Sequence, residues 1–528
     1  MGKKINFKYI AFLSLIALGL ALLQFSFSGV ADPDSYYHIK FSEILSSQGW
    51  NAVSKLPWVE FSVWKNFPAD LSLGYHYLLT AFFNFSSDPI IAAKILGVFV
   101  SSAVFAVFFI ILLRLKIWQP LFWLFLLFLG SSAFLYRLII IRPVIFSIIF
   151  LLLGFLFAFE KRRWALCLTA FFHSLIHAST VPFLIFVVAM VLFFKKDTPP
   201  KKRLFLFFSC VGGAFLGLIL RPDFPFIFYQ LVFQDWHVLF YQWQGLDLGQ
   251  GKEIHSSGLD LYSSSFLVLL IFLSAIFASV NKKWIFFKLK LNKNYADFSP
   301  RIPLLIISLI FLLFSVLSFR FIDYWTPFAV LFAALAAKPF IEQFDIKVFL
   351  RNNFNKHRKI AVFASLFIIL LIAKNIIGAY SSVKVTESLE KFQGASIWLK
   401  ENTPENSVIF HTDWDDFPKL FYYNDHNRYL VGLDPTFMYE YDKNLYWLWR
   451  NISDYGIAFD RPLLQKEKED YKKFQDPKVA SQFINDKFNA NVIFVPKERA
   501  TLNEFLSNNP SIFQEVYNDQ WVRIFRIL

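Results

Sequence analysis

Long apolar runs separated by short polar connections dominate the chain from residue 8 to residue 379. Eleven segments read as membrane helices: 8–27, 88–113, 118–136, 143–159, 164–177, 180–194, 203–220, 264–280, 302–319, 322–337 and 359–379. A stretch at 71–85 is apolar but short, and it carries Tyr75, His76 and Tyr77; this predicts a helix lying along the membrane surface. The pattern changes beyond residue 380. Helical periodicity covers about 385–401, and β-type runs follow at 408–410, 429–431, 492–495 and 521–527, with helix-like stretches between them. The expected fold class is an α-helical polytopic membrane protein with a C-terminal soluble α/β domain, its sheet mostly parallel and covered on both faces.

Charge gives this layout an orientation. Basic residues gather at Lys3, Lys4 and Lys8, at Arg114 and Lys116, at Lys161 to Arg163, and in the connections 195–203, 282–293 and 347–359. These alternate with connections poor in Lys and Arg, so the basic set is expected to face the cytoplasm. The chain then divides into a first membrane helix (1–27), a long outer loop with juxtamembrane helices (28–87), a helical body (88–379) and an extracytoplasmic domain (380–528). A second long outer loop interrupts the body at 221–263. The first segment, followed by Ser28-Gly29-Val30-Ala31, also fits a cleavable signal peptide, and either reading leaves residue 32 on the outer face.

Composition agrees with the class. Of 528 residues, 56% are hydrophobic and only 17% charged, which is the balance of a membrane protein. The net charge of +14 lies in short loops between spans, so no nucleic-acid partner is expected. The two cysteines, Cys167 and Cys210, fall inside apolar segments and imply no disulfide framework.

The densest chemistry lies just past the first span, in Asp32-Pro33-Asp34-Ser35-Tyr36-Tyr37-His38. Asp34, Tyr37 and His38 share one helix face, and hard oxygen ligands at this spacing suit Mg²⁺ or Mn²⁺ bridging to a phosphate, with Asp34 and Asp32 as the ligands. Alternatively one carboxylate takes the proton of an attacking hydroxyl, or either aspartate simply caps the helix. His76 and Glu60, in the same loop, are candidates to complete the site. Arg142, Arg221 and Arg320 stand at outer ends of spans, against the charge bias of the other loops. A guanidinium there suits a lipid phosphate, with snorkelling to headgroups of membrane lipids as the plain alternative. Asp323 is positioned to pair with Arg320. His173 and His177 lie one turn apart and either chelate a metal or hydrogen-bond across helices. In the tail, Trp414, Asp415 and Asp416 follow a strand, where parallel sheets open into a binding crevice. They either bind an acceptor or sugar, or Asp413 caps a helix and Trp414 joins the core.

These features together resemble the GT-C superfamily of polytopic glycosyltransferases. Asp34-Ser35-Tyr36-Tyr37-His38-Ile39-Lys40 is similar to the first-loop motif of oligosaccharyltransferase catalytic subunits. The order Ala395 to Leu399, Val408 to Phe410, Trp414 to Phe417 and Asn427 to Asp434 resembles the surroundings of their Trp-Trp-Asp-Tyr-Gly motif. The resemblance implies a metal-binding role for Asp34, acceptor recognition at Trp414 and Asp415, and a polyprenyl-phosphate or -pyrophosphate sugar donor. Eleven spans also fit the single-sugar branches, the protein mannosyltransferases and lipid A aminoarabinose transferases. The expected function is transfer of a sugar to a glycan, lipid or protein acceptor at the outer face of a plasma (inner) membrane. Asp34 would be catalytic, with Asp32 and His38 in support. A transporter or flippase of lipid-linked substrates and a non-catalytic envelope-assembly protein are the rival classes.

Overall fold

The computed structural model describes residues 7–49, 57–233, 237–251, 253–255, 258–280, 300–341, 346–384 and 388–528. The basic connection 282–293 lies outside the described residues. Among the described residues six helices are long and apolar enough to cross a membrane: Phe7–Gln24, Pro89–Arg114, Pro200–Ile219, Gly258–Val280, Phe319–Pro339 and Ser365–Lys384. Five shorter apolar helices accompany them: Pro120–Leu129, Val144–Phe159, Arg163–Ile176, Ala178–Phe194 and Arg301–Leu317. Each falls on one of the eleven apolar segments. The segment expected as one helix over 118–136 is broken in two at Gly130-Ser131. The Ser131 hydroxyl caps the short second helix, Ser132–Arg137, by accepting from the Phe134 N–H at 3.0 Å. It also meets the Ser265 hydroxyl at 2.7 Å, so a polar pair inside the body sets the break.

α1 (Phe7–Gln24) is the first span, and α2 (Asp34–Gln48) starts directly after Pro33. The helix expected along the membrane surface is present as Leu73–Phe82, but its inner face is buried in protein through Leu73, Tyr75, His76 and Leu79. It packs on α2 and on helix Arg163–Ile176.

The C-terminal domain holds a five-stranded sheet of β1 (Val408–His411), β2 (Arg428–Tyr429), β3 (Ala490–Pro496), β4 (Phe513–Asn518) and β5 (Val522–Ile527). Its order is β2-β1-β3-β5-β4. β1 pairs in parallel with β2 and β3, while β5 pairs antiparallel with β3 and β4. The sheet is therefore mixed, where the sequence predicted a mostly parallel one. The tight connection at 519–521 turns the chain straight back, and a reversal that short forces an antiparallel pair.

Side chains alternate between the two faces of this sheet. Phe410, Ile493, Val495 and Phe525 face a layer of helices that includes Trp449, Ile452, Ile484 and Leu506. Ile409, Val492, Phe494 and Ile524 face the other way, into a core shared with Tyr37, Phe41, Ile44 and Leu45 of α2 and with Trp64. Residues 58–61 also run beside β2. Tyr429 donates to the Trp58 carbonyl (2.8 Å), while Glu60 and Phe61 donate to the carbonyls of Tyr429 and Leu430 (2.8 and 2.9 Å). The first loop and the C-terminal domain thus form one layer on the same side of the helical body.

Two expected outcomes test this arrangement. Phe41→Ala removes a ring from the shared core and should cost about 3–5 kcal/mol, read as a lowered Tm of the detergent-solubilised protein. In a background carrying Cys167→Ser and Cys210→Ser, single cysteines replacing exposed Lys65 and Lys487 should react with an impermeant maleimide from the same side of the membrane. Labelling from opposite sides would refute the shared layer.

Candidate active site

Pro33 has no N–H to lose, and its fixed φ suits the residue that opens α2. The backbone carbonyls of Asp32 and Pro33 begin the helix by accepting from Ser35 and Tyr36. No side chain caps α2, so the capping role open to Asp32 and Asp34 is not used by either. Both carboxylates turn instead to Arg142. Asp32 takes the guanidinium in a two-point contact, through Nε at 2.5 Å and through Nη2. Asp34 Oδ2 lies 2.9 Å from the same Nη2, and Glu253 accepts from Nη1 at 2.9 Å.

Glu253 extends the cluster. Its carboxylate also meets Arg137 and lies 3.3 Å from Arg320. Arg137 in turn holds the buried Asp323 through bonds of 2.8 to 3.0 Å. The pairing expected between Arg320 and Asp323 is therefore replaced by one between Arg137 and Asp323. Four carboxylates face three guanidinium groups, leaving one excess negative charge when all are ionised. Burial pushes the Asp34 pKa up to about 8 against the pull of Arg142, with added repulsion from Asp32, Asp415 and Glu253. Burial alone would raise Glu253 as well, yet Arg142, Arg137 and Arg320 hold it well below the usual carboxylate range.

The cluster forms one wall of a cavity of about 610 Å³, the size range of small-molecule sites. α2 contributes Asp34, Tyr37 and His38, the body contributes Arg142, His177, Arg320 and Tyr324, and the second outer loop contributes Gln250 and Glu253. The C-terminal domain closes the cavity with Trp414, Asp415, Asp434 and Phe437. Trp414 is also a tether, since its indole N–H donates to the Gly249 carbonyl at 2.9 Å and so ties the domain to the loop bearing Glu253. Asp413 caps the turn after β1 by accepting from the Asp415 N–H and pairs with Arg499.

The other sequence candidates, His177 excepted, lie outside the cavity lining. Arg221 is buried against Asp223 and the carbonyls of Asp70 and Ser174, so it frames the first loop and does not line the cavity. Glu60 pairs with Lys65 and Arg428 beside β2. Asp416 is buried outside the cavity lining, where burial raises its pKa well above the usual range. His173 and His177 bond to the hydroxyls of Ser147, Ser179 and Thr180, the hydrogen-bonding alternative to metal chelation. His76 sits directly behind the cavity wall, joined to His38 and to Asp70. Asp70, Arg137 and Glu253 are the groups the sequence reading missed. Each stands alone among apolar or loop residues, and the fold alone unites them.

A divalent cation does not fit this donor set as arranged. Arg142 already occupies the space between Asp32 and Asp34 and supplies the positive charge an ion would bring. Among the described residues no cluster of three or more His, Cys, Asp or Glu side chains is arranged to hold a metal.

No protein-family model matches the chain, and no curated protein matches it by sequence. Solved structures do match. The Archaeoglobus fulgidus oligosaccharyltransferase in its apo form superposes with a TM-score of 0.61 at 12% identity, over 96% of this chain and 71% of that one. ArnT from Cupriavidus metallidurans bound to undecaprenyl phosphate superposes with a TM-score of 0.53 at 12% identity, over 99% and 98% of the two chains. This protein has the GT-C fold. The mycobacterial arabinofuranosyltransferase AftD shares it, with a TM-score of 0.54 at 12% identity over 99% of this chain and 40% of that one. In this chain the acidic first-loop motif, the body arginines and the C-terminal domain meet at one cavity.

Removing the guanidinium tests the cluster. Arg142→Ala leaves three carboxylates without their shared partner and should cost about 3–5 kcal/mol, visible as a lowered Tm. Arg142→Lys keeps the charge but not the forked geometry and should recover only part of the loss.

Proposed function

We propose that the chain is an integral membrane glycosyltransferase. It moves a sugar from a polyprenyl-phosphate or -pyrophosphate carrier to an acceptor at the extracytoplasmic face. One observation carries the reading: a cavity between the first loop, the helical body and the outer domain joins a titrating carboxylate, Asp34, to arginines suited to a phosphate. Support for the carrier comes from the fold, whose other holders include ArnT in complex with undecaprenyl phosphate and the archaeal AglB in complex with a dolichol-phosphate.

Arg320 is the proposed phosphate ligand. It lines the cavity, is 31% exposed, and its contact with Glu253 is the long one of the cluster, at 3.3 Å. Arg142 is held by carboxylates on three sides and adds field more than direct contact. The acceptor enters beneath Trp414 and Asp415. Its oxygen (or amide nitrogen) forms a bond to the anomeric carbon as the bond from that carbon to the carrier phosphate breaks, the electron pair leaving on the phosphate. The proton released from the acceptor passes to the Asp34 carboxylate and then to water. A carboxylate tuned close to the working pH is effective in this role. Asp32 keeps Arg142 in place, and no step requires a metal ion.

Four outcomes follow for transfer assayed with membranes or purified protein and a panel of polyprenyl-linked sugars. Asp34 must be ionised to accept a proton, so kcat/KM should rise with pH to a plateau, with a midpoint near 8. Asp34→Asn should remove that limb and lower kcat by roughly 10²–10⁴-fold while the protein stays in the membrane. Activity should survive EDTA, and Arg320→Gln should raise KM for the donor by about tenfold. Undiminished transfer by Asp34→Asn would refute the assignment.

A further inference from the structure

A buried chain of three side chains reaches the cavity from behind its wall. Asp70 Oδ2 lies 2.6 Å from His76 Nδ1, and His76 Nε2 lies 2.7 Å from His38 Nδ1. His76 is wholly buried, and Asp70 is 4% exposed. The carboxylate only accepts, so a neutral His76 carries its proton on Nδ1 and offers a lone pair at Nε2. His38 must then donate from Nδ1, which leaves its Nε2 with a lone pair. His38 lines the cavity, and no protein group among the described residues is recorded hydrogen-bonding that nitrogen.

The far end of the chain is fixed. Asp70 Oδ1 accepts from the Ser72 N–H at 2.9 Å, and the Asp70 N–H donates to Asp223 at 3.0 Å. Arg221, bound to Asp223, donates to the Asp70 carbonyl. Around His38 stand Tyr37 on α2, Tyr75 and His76 on helix Leu73–Phe82, and Arg142 and His177 from the body. Burial, the largest cause, holds the His38 pKa well below its ordinary value, so the ring stays neutral. Asp34 lies one turn earlier on the same face of α2, about 5–6 Å away at Cβ.

We propose that the Asp70–His76–His38 chain fixes His38 Nε2 as an obligate hydrogen-bond acceptor for a hydroxyl group of the transferred sugar, with His76 and Asp70 as positioning residues. The ligand rests on the sugar-transfer reading; the tautomer does not.

The test uses the full-length protein, labelled with ¹⁵N-histidine, in detergent micelles at neutral pH. His38 and His76, identified by loss of their signals in His38→Gln and His76→Gln, should each show a protonated Nδ1 and an unprotonated Nε2. A protonated Nε2 on His38 would overturn the proposal. Asp70→Asn should invert both rings, because the Ser72 N–H retains the side-chain oxygen and turns the amide nitrogen toward His76. With the donor the protein uses, Asp70→Asn should raise KM about tenfold and leave the pH midpoint of kcat/KM in place. His38→Phe should match that loss, while His38→Gln, whose Oε1 can stand where Nε2 stood, should stay within about threefold of wild type. Unchanged donor KM in both Asp70→Asn and His38→Phe would overturn the hydroxyl contact even with the stated tautomer. The stated tautomer without any sugar transfer would overturn the ligand assignment together with the transfer reading and leave the relay standing.

Discussion

The Arg142 guanidinium, gripped by Asp32, Asp34 and Glu253, is the interaction on which the outer half of the molecule depends. Those groups arrive from the first outer loop, from the edge of the body between two helices, and from the second outer loop. Three like charges this close repel strongly in a low-dielectric wall, and a planar cation with five donors can face them all at once. Arg137 repeats the solution one layer deeper by joining Glu253 to Asp323. The loops are therefore pinned together at one end of the helical body, and burial in the same wall raises the Asp34 pKa to about 8.

The soluble domain adds a second constraint. One face of its sheet shares a core with α2, and residues 58–61 pair alongside β2. The domain is thus a structural wall of the cavity as well as a roof. Trp414 illustrates this double duty, because the ring that borders the cavity also ties down Gly249, four residues before Glu253. Gly249 adopts a positive φ of 68°, a conformation glycine takes without strain, which lets the loop turn beneath the indole.

Much of the fold was legible in the residues. Apolar segments of suitable length must become helices in a bilayer, since backbone groups there have no water to bond. All eleven segments are helical, and the break at Ser131 was missed because a serine cap carries little weight inside an apolar window. Four of the five strands were visible as β-branched and aromatic runs. β4, with its exposed Gln514 and Glu515, lacks that signature and is held by pairing with β5.

The site was legible only in part. Asp32, Asp34 and His38 form a local motif, and Arg142 and Arg320 stood out by breaking a charge rule. Sequence therefore determined the membrane class, the run of helices and which short stretches carry chemistry, because periodicity, hydropathy and local spacing are properties of neighbours in the chain. Which carboxylate meets which arginine was decided by the tertiary structure, as were the partnership of His38 with His76 and Asp70, and the exclusion of Arg221 and Glu60 from the cavity. Those outcomes depend on contacts between residues up to 368 positions apart, as in the Glu60–Arg428 pair, and a buried charge takes whichever partner the packing delivers.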